Sequence, residues 1–242
     1  PAQGLSQIPP DTGVMAEAAR PNADVQHGFA RAEMFSEKLA GTWKDRTDVF
    51  IFLICGKAEE WPEDVKDLPE DSLYKVLQSA LKAAKLKSKV KVVLAEATAG
   101  DKEGDVLVFP GARRFNIASS TKALVEALQA GSAAPDVEES HVFVCAHSKR
   151  DARCGYCGPL LVNAVATNSR APVRKCSHIG GHAYAGNMLV FGSGGAGGKG
   201  SGDFYGYVTP AAVPDVLAGR ARRGRLWRGA LGLSREEVLR AR

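Results

Sequence analysis

Apolar positions along the chain follow two rhythms. Residues Asp48 to Cys55 (DVFIFLIC) and His141 to Cys145 (HVFVC) are short, β-rich apolar runs, each ending in a cysteine. After the first, Leu73, Val76, Leu77, Ala80, Leu81 and Ala84 recur at i, i+3, i+4 and i+7. That spacing predicts a helix with one face against a sheet, and a strand is predicted next at Val90 to Leu94. After the second run, Leu160, Leu161, Ala164 and Val165 predict another helix, followed by a short strand near Val173 to Cys176. Each half then repeats nearly the same strand, Gly104-Asp-Val-Leu-Val-Phe-Pro110 and Gly186-Asn-Met-Leu-Val-Phe-Gly192. Helical segments close the halves, Thr121 to Ala130 and Pro210 to Ala218.

Strands and helices alternating at this spacing predict an α/β protein. A βαβ start, a β-hairpin and a closing helix is the thioredoxin-like order, and the chain writes it twice. The expectation is two tandem thioredoxin-like domains, residues 27–135 and 136–218, joined through the small, polar, Pro-containing stretch Gly131 to Glu139. Residues 1–26 read as a polar, extended N-terminal segment, and residues 219–242 as a basic C-terminal tail.

Composition narrows the class without deciding it. With 45% apolar and 24% charged residues in 242, the chain has the make-up of an ordinary globular protein able to bury a core. No apolar run approaches the ~20 residues of a membrane-spanning helix, so no membrane span is expected. The net charge of +5 is only mildly basic. The arginine-rich tail has Trp227 as its one aromatic, which argues against nucleic acid and for charge-steered docking of an acidic protein. Five cysteines, four of them clustered, fit a metal or redox site in a reducing compartment better than a disulfide framework. An organelle, chloroplast or mitochondrion, is favoured over the cytosol.

The candidate chemistry lies in the second half. Cys145 and Cys154 stand nine positions apart, and His178 and His182 stand four apart around a diglycine. Thiolate and imidazole together suit either a tetrahedral zinc or a two-iron cluster. The charged loop between the cysteines places both at the border of solvent, and a helix start at Cys154 would favour its thiolate. The diglycine predicts a tight loop whose backbone approaches a bulky ligand. His27, His141 and His147 lack such a context, although His147 falls within the cysteine loop and reads as a supporting or docking group. Cys154 and Cys157 form a C-x-x-C of thioredoxin type, which fails as a dithiol if Cys154 holds a metal. Cys176 reads as packing beneath the site, and Cys55 as a strand-end thiol left from duplication. The glycine-rich run Gly192 to Gly202 departs from the phosphate-loop pattern and reads as a flexible hairpin loop.

Several stretches resemble the sucrase/ferredoxin-like family of thioredoxin-like ferredoxins, in particular its plant and algal members. They are HVFVCAHSKRDARCGYCGPLL (141 to 161), CSHIGGHAYAGNMLVFG (176 to 192), FYGYVTPAAVPDVL (204 to 217), LWRGALGLS (226 to 234) and, more weakly, HGFARAEMFSEKLAGT (27 to 42). The resemblance implies a [2Fe-2S] cluster held by Cys145, Cys154, His178 and His182, with the cysteines on one iron and the histidines on the other. It implies a one-electron carrier, proton-coupled through its histidines, that docks on a redox partner or sits in a larger electron-transfer complex. No glycosidase-like carboxylate pair supports the sucrose-cleaving part of the family's name. A zinc-binding adaptor subunit using the same four side chains is the alternative, and a thiol oxidoreductase a lesser one.

Overall fold

The computed structural model describes residues 20–131, 140–192 and 202–242. Within them the strands are β1 (Val49–Ile54), β2 (Val90–Ala95), β3 (Asp105–Phe109), β4 (Arg113–Asn116), β5 (His141–Cys145), β6 (Val173–Cys176), β7 (Met188–Phe191), β8 (Gly202–Tyr205) and β9 (Trp227–Ala230). They form a single mixed sheet in the order β4-β3-β1-β2-β6-β5-β7-β8-β9. In each half the first two strands are parallel, the third runs antiparallel to the first, and the fourth antiparallel to the third. The repeat read from the sequence is thus present in the strand pairing.

The halves are not two self-contained bodies, however. They join where β2 and β6 pair antiparallel at Ala95 and Cys176. Ring contacts show that the sheet folds over at this seam. Neighbouring strands lie ~4.8 Å apart, so β1 and β5, three steps apart, would be ~14 Å apart in a flat sheet. Phe52 of β1 nevertheless stacks on Phe143 of β5 with ring centroids 3.4 Å apart, and Phe109 of β3 on Phe191 of β7 at 4.2 Å. Side chains alternate across a strand, so Phe50, Phe52 and Ile54 enter this shared aromatic core while Ile51 and Leu53 face outward.

Helices cover the outward faces. In the first half, α2 (Leu73–Ala83) and α3 (Lys122–Gln129) bring Tyr74, Leu77 and Leu124 onto Ile51, Leu53 and Val106. In the second, α4 (Ala152–Asn168) and α5 (Val213–Leu217) bring Leu161, Val165, Val213 and Val216 onto Val142, Val144 and Val190. The layers run helix, sheet, sheet, helix, an α/β arrangement with one mixed sheet where two separate domains were expected.

Both chain ends differ from the expectation. Residues Arg20–His27 form helix α1 beside α4, where an extended segment was anticipated; residues 1–19 lie outside the described residues. The basic tail is built into the fold. Trp227–Ala230 pairs with β8, Trp227 is buried, and its indole N–H donates to Asp203 at 2.9 Å. Helix α6 (Arg235–Arg240) follows, closed at its start by a Ser234/Glu237 capping box. The expected linker and glycine-rich loop fall mostly outside the described residues. Among the described residues no helix is long and apolar enough to cross a membrane.

Candidate metal centre

The centre lies where β5, α4 and the chain after β6 meet. Cys145 ends β5. Asp151 caps α4 by accepting from the Arg153 N–H at 2.9 Å, which places Cys154 in the first turn. Two glycines allow α4 to ride tightly over the segment between the cysteines. A Cβ on Gly155 would lie 2.6 Å from Ser148 Cβ, and one on Gly158 2.6 Å from Ala146 Cα. This close seat buries both cysteines to 1% exposure, so neither borders solvent as the charged loop had implied.

The chain leaving β6 runs along β2. Ser177 N–H donates to Leu94 O at 2.9 Å, and its hydroxyl accepts from Leu94 N–H at 3.0 Å. His178 comes next and closes the group. One ligand atom from each of Cys145, Cys154 and His178 lies within 4.8 Å of the other two. His182, exposed in the 3-10 turn His182–Tyr184, holds its ring centroid 5.4 Å from that of His178, tilted by 33°. Three of the four expected side chains therefore converge, with the fourth beside them on the solvent side.

The Gly180-Gly181 link between the histidines has positive φ at both residues, +97° and +74°. Sequence reasoning attributed the diglycine to a bulky ligand; its immediate neighbour is Arg228. A Cβ on Gly181 would stand 2.3 Å from Arg228 Nη2. Arg228 is 2% exposed and donates from Nη1 to Gly180 O at 3.1 Å and to Asn187 Oδ1 at 2.7 Å. Asn187 in turn donates to Gly181 O at 2.9 Å, while its own carbonyl accepts from Cys145 N–H at 3.1 Å. Asn187 thus ties the cysteine strand to the histidine loop, with Arg228 locking it from behind. Neither residue was singled out from sequence. Both occur in the quoted family-like stretches, but the arginine-rich context of Arg228 disguised a buried side chain as a surface one. Burial pulls its pKa down to about 10.

His147 supports the same loop. Its Nδ1 accepts from His178 N–H at 3.2 Å, so Nε2 carries the ring proton toward Pro62 O at 2.8 Å. Burial lowers its pKa and keeps it neutral. Of the cations in the cysteine loop, Arg153 is paired with Asp151 at 2.9 Å, and Lys149 reaches Glu60 O at 3.4 Å.

The electrostatics fit a cation. The Cys154 thiol donates to Cys145, which together with His178 holds Cys145 well below an ordinary thiol. The same contact, reinforced by burial, pushes Cys154 well up. A cation seated beside both sulfurs would favour their fully deprotonated form. His178 Nδ1 is buried and without a hydrogen-bond partner. An orphaned buried acceptor or donor costs ~1–3 kcal/mol, a cost that metal ligation removes.

The other thiols are less equipped. Cys157 is buried, reaches His27 O at 3.4 Å and is pushed up to about 12 by burial, so its thiolate is scarce. Cys176 lies in register beside Cys145 on β6, and burial followed by Cys145 raises it well above the usual value. Cys55 follows directly on β1 in the first half and is likewise raised by burial, to about 12.

Comparison with known proteins places these features in a family context. A family model described as sucrase/ferredoxin-like matches residues 39–231. Proteins named altered inheritance of mitochondria protein 32 are similar over shorter stretches. The one from Meyerozyma guilliermondii is 35% identical over 96 residues, covering 37% of this chain and 32% of its own. The one from Candida glabrata is 44% identical over 57 residues, covering 22% and 18%. The chain thus spans about a third or less of the curated relatives it matches. These relatives are yeast proteins, not the plant and algal ones that the sequence had brought forward. No solved structure matches the chain.

Proposed function

The chain belongs to the sucrase/ferredoxin-like family, and from that premise we propose that it is an electron-transfer protein whose [2Fe-2S] cluster is held by Cys145, Cys154, His178 and His182. The observation that carries the reading is the convergence of two buried thiols and an imidazole whose Nδ1 is buried without a hydrogen-bond partner. When bound, the cluster supplies reversible one-electron exchange at a potential that imidazole ligation raises relative to four thiolates. Cys145 and Cys154, already in hydrogen-bond contact, suit one iron; the two histidines suit the other. His147 fixes the backbone of His178, and Asn187 with Arg228 fixes the loop between the histidines. Arg228 also sets an unneutralised positive charge behind the thiolates, which favours the more negative, reduced state. Exposed His182 marks the edge nearest solvent, where an acidic redox partner or a larger electron-transfer complex would dock. Each half carries the thioredoxin-like strand order, and only the second is equipped. The relatives' name, altered inheritance of mitochondria protein 32, supports a mitochondrial connection.

Zinc is the second reading, because three donors within 4.8 Å of one another also suit a single tetrahedral ion. Visible spectra with iron, zinc and acid-labile sulfide analysis separate the two. The expected result is brown protein with equal iron and sulfide, and loss of colour in Cys145→Ser and His178→Ala. Colourless protein carrying stoichiometric zinc would overturn the electron-carrier reading.

A further inference from the structure

A cleft of about 640 Å³ opens against the backbone of the histidine loop, between the start of β2, the segment before β1 and Arg228. Its lining holds five cations and one carboxylate, Asp45. Arg46 is spent on Asp48 at 2.6 Å. Among the described residues, Lys44, Lys89, Lys91 and Arg228 have no carboxylate at ion-pair distance, which leaves a clear excess of positive charge.

Two of these cations share the Trp43 ring. Lys91 Nζ lies 4.9 Å from the centroid of the Trp43 ring, and the Arg228 guanidinium 5.4 Å. Burial and then Arg228 lower the Lys91 pKa, and the Asp45 carboxylate offsets them only in part. Gly180 forms part of the floor, and the place of its missing Cβ is open except for Lys91 Nζ at 3.8 Å. Arg228 spends four of its five N–H groups on Thr42, Gly180 and Asn187, so it contributes field and one remaining donor. Lys91, with Lys44 and Lys89 at the rim, contributes the mobile contacts.

We propose that this cleft binds a phosphate-bearing small molecule, its dianionic group held by Lys91 in the field of Arg228. A dianion answers the charge excess better than a single carboxylate, since a phosphate monoester carries ~1.5–2 negative charges at neutral pH. The volume is that of a small-molecule site, commonly ~300–1,000 Å³. The bound anion rests on Gly180, two residues from each histidine, so its occupancy is transmitted to the loop that aims them. The proposal is independent of which metal the neighbouring centre holds.

Titration calorimetry of the full chain with inorganic pyrophosphate and inorganic phosphate tests it. Saturable one-site binding is expected, tighter for pyrophosphate, and weakened at least tenfold by Lys91→Gln. Lys122→Gln, exposed on α3 and outside the cleft lining, leaves it unchanged. Should Lys91→Gln fail to fold, the exposed pair Lys44→Gln/Lys89→Gln is expected to weaken binding severalfold. Absence of saturable binding, or equal affinity in the wild type and the cleft variants, overturns the proposal.

Discussion

Replacing Gly181 by alanine, with Gly180→Ala as its control, tests the clamp on the histidine loop. Both positions have positive φ, so each alanine incurs the left-handed penalty of ~1–2 kcal/mol. The surroundings differ. At Gly180 the new methyl meets only Lys91 Nζ at 3.8 Å, an ordinary contact, whereas at Gly181 it lands 2.3 Å from Arg228 Nη2. The guanidinium must withdraw and forfeit at least one charge-assisted hydrogen bond, worth ~1.5–3 kcal/mol. Gly181→Ala is therefore expected to cost ~3–5 kcal/mol and Gly180→Ala ~1–2 kcal/mol. Urea unfolding followed by tryptophan fluorescence measures both. A double-mutant cycle sharpens the result: with Arg228→Ala in place, most of the extra cost at Gly181 should disappear, because only the Tyr184 ring, at 3.0 Å, still stands close to the new methyl. Equal costs at the two glycines, or an undiminished excess without Arg228, would refute the assignment of Arg228 as the clamp.

Two further outcomes are expected. Burial, followed by Arg174 and Arg114, lowers the His141 pKa from 6.5 to about 4. The unfolded chain then binds the extra proton first, so stability is full above pH ~6.5 and falls as pH drops toward 4, by on the order of 3 kcal/mol from this group. Unfolding midpoints that stay level over that window would contradict it. The Asp101–Arg174 pair, joined at 2.8 Å with both side chains almost fully buried, ties the first half to β6. Arg174→Met removes two charge-assisted bonds from the buried Asp101 carboxylate, which keeps Arg114 at 2.8 Å and the Thr98 N–H and hydroxyl, and is expected to destabilise by ~1.5–3 kcal/mol, read by chemical denaturation; an unchanged midpoint would contradict it.

The elements most legible in the sequence were those whose pattern is local. DVFIFLIC and HVFVC are strands because apolar, β-rich runs of that length are buried on both faces, and here one face meets the aromatic core while the other meets helices. The ligand candidates were legible because cysteine and histidine side chains carry their chemistry with them. The folded-over sheet was not, since stacking of Phe52 on Phe143 joins residues 91 positions apart and leaves no trace in periodicity. Strand β9 was hidden for a different reason. Its Arg228 reads as solvated surface, yet it is buried because carbonyls of the histidine loop, Asn187 and the Trp43 and Tyr184 rings receive it. The solvent exposure expected for Cys145 and Cys154 failed because Gly155 and Gly158 admit an approach that loop polarity does not reveal.

The pairing of Ser177 with Leu94 gives the unequipped half a purpose of its own. Strand β2 acts as a rail on which the neighbouring segment is laid before either imidazole is aimed. Cutting the chain near residue 135 would leave the C-terminal fragment with Cys145, Cys154, His178 and His182 and no track to align them. Its Phe143, Phe191 and Phe204 rings would face water, and the bared flank of β6 would invite partners from other molecules. The half without the clustered thiols and imidazoles can thus remain indispensable as the jig for the other.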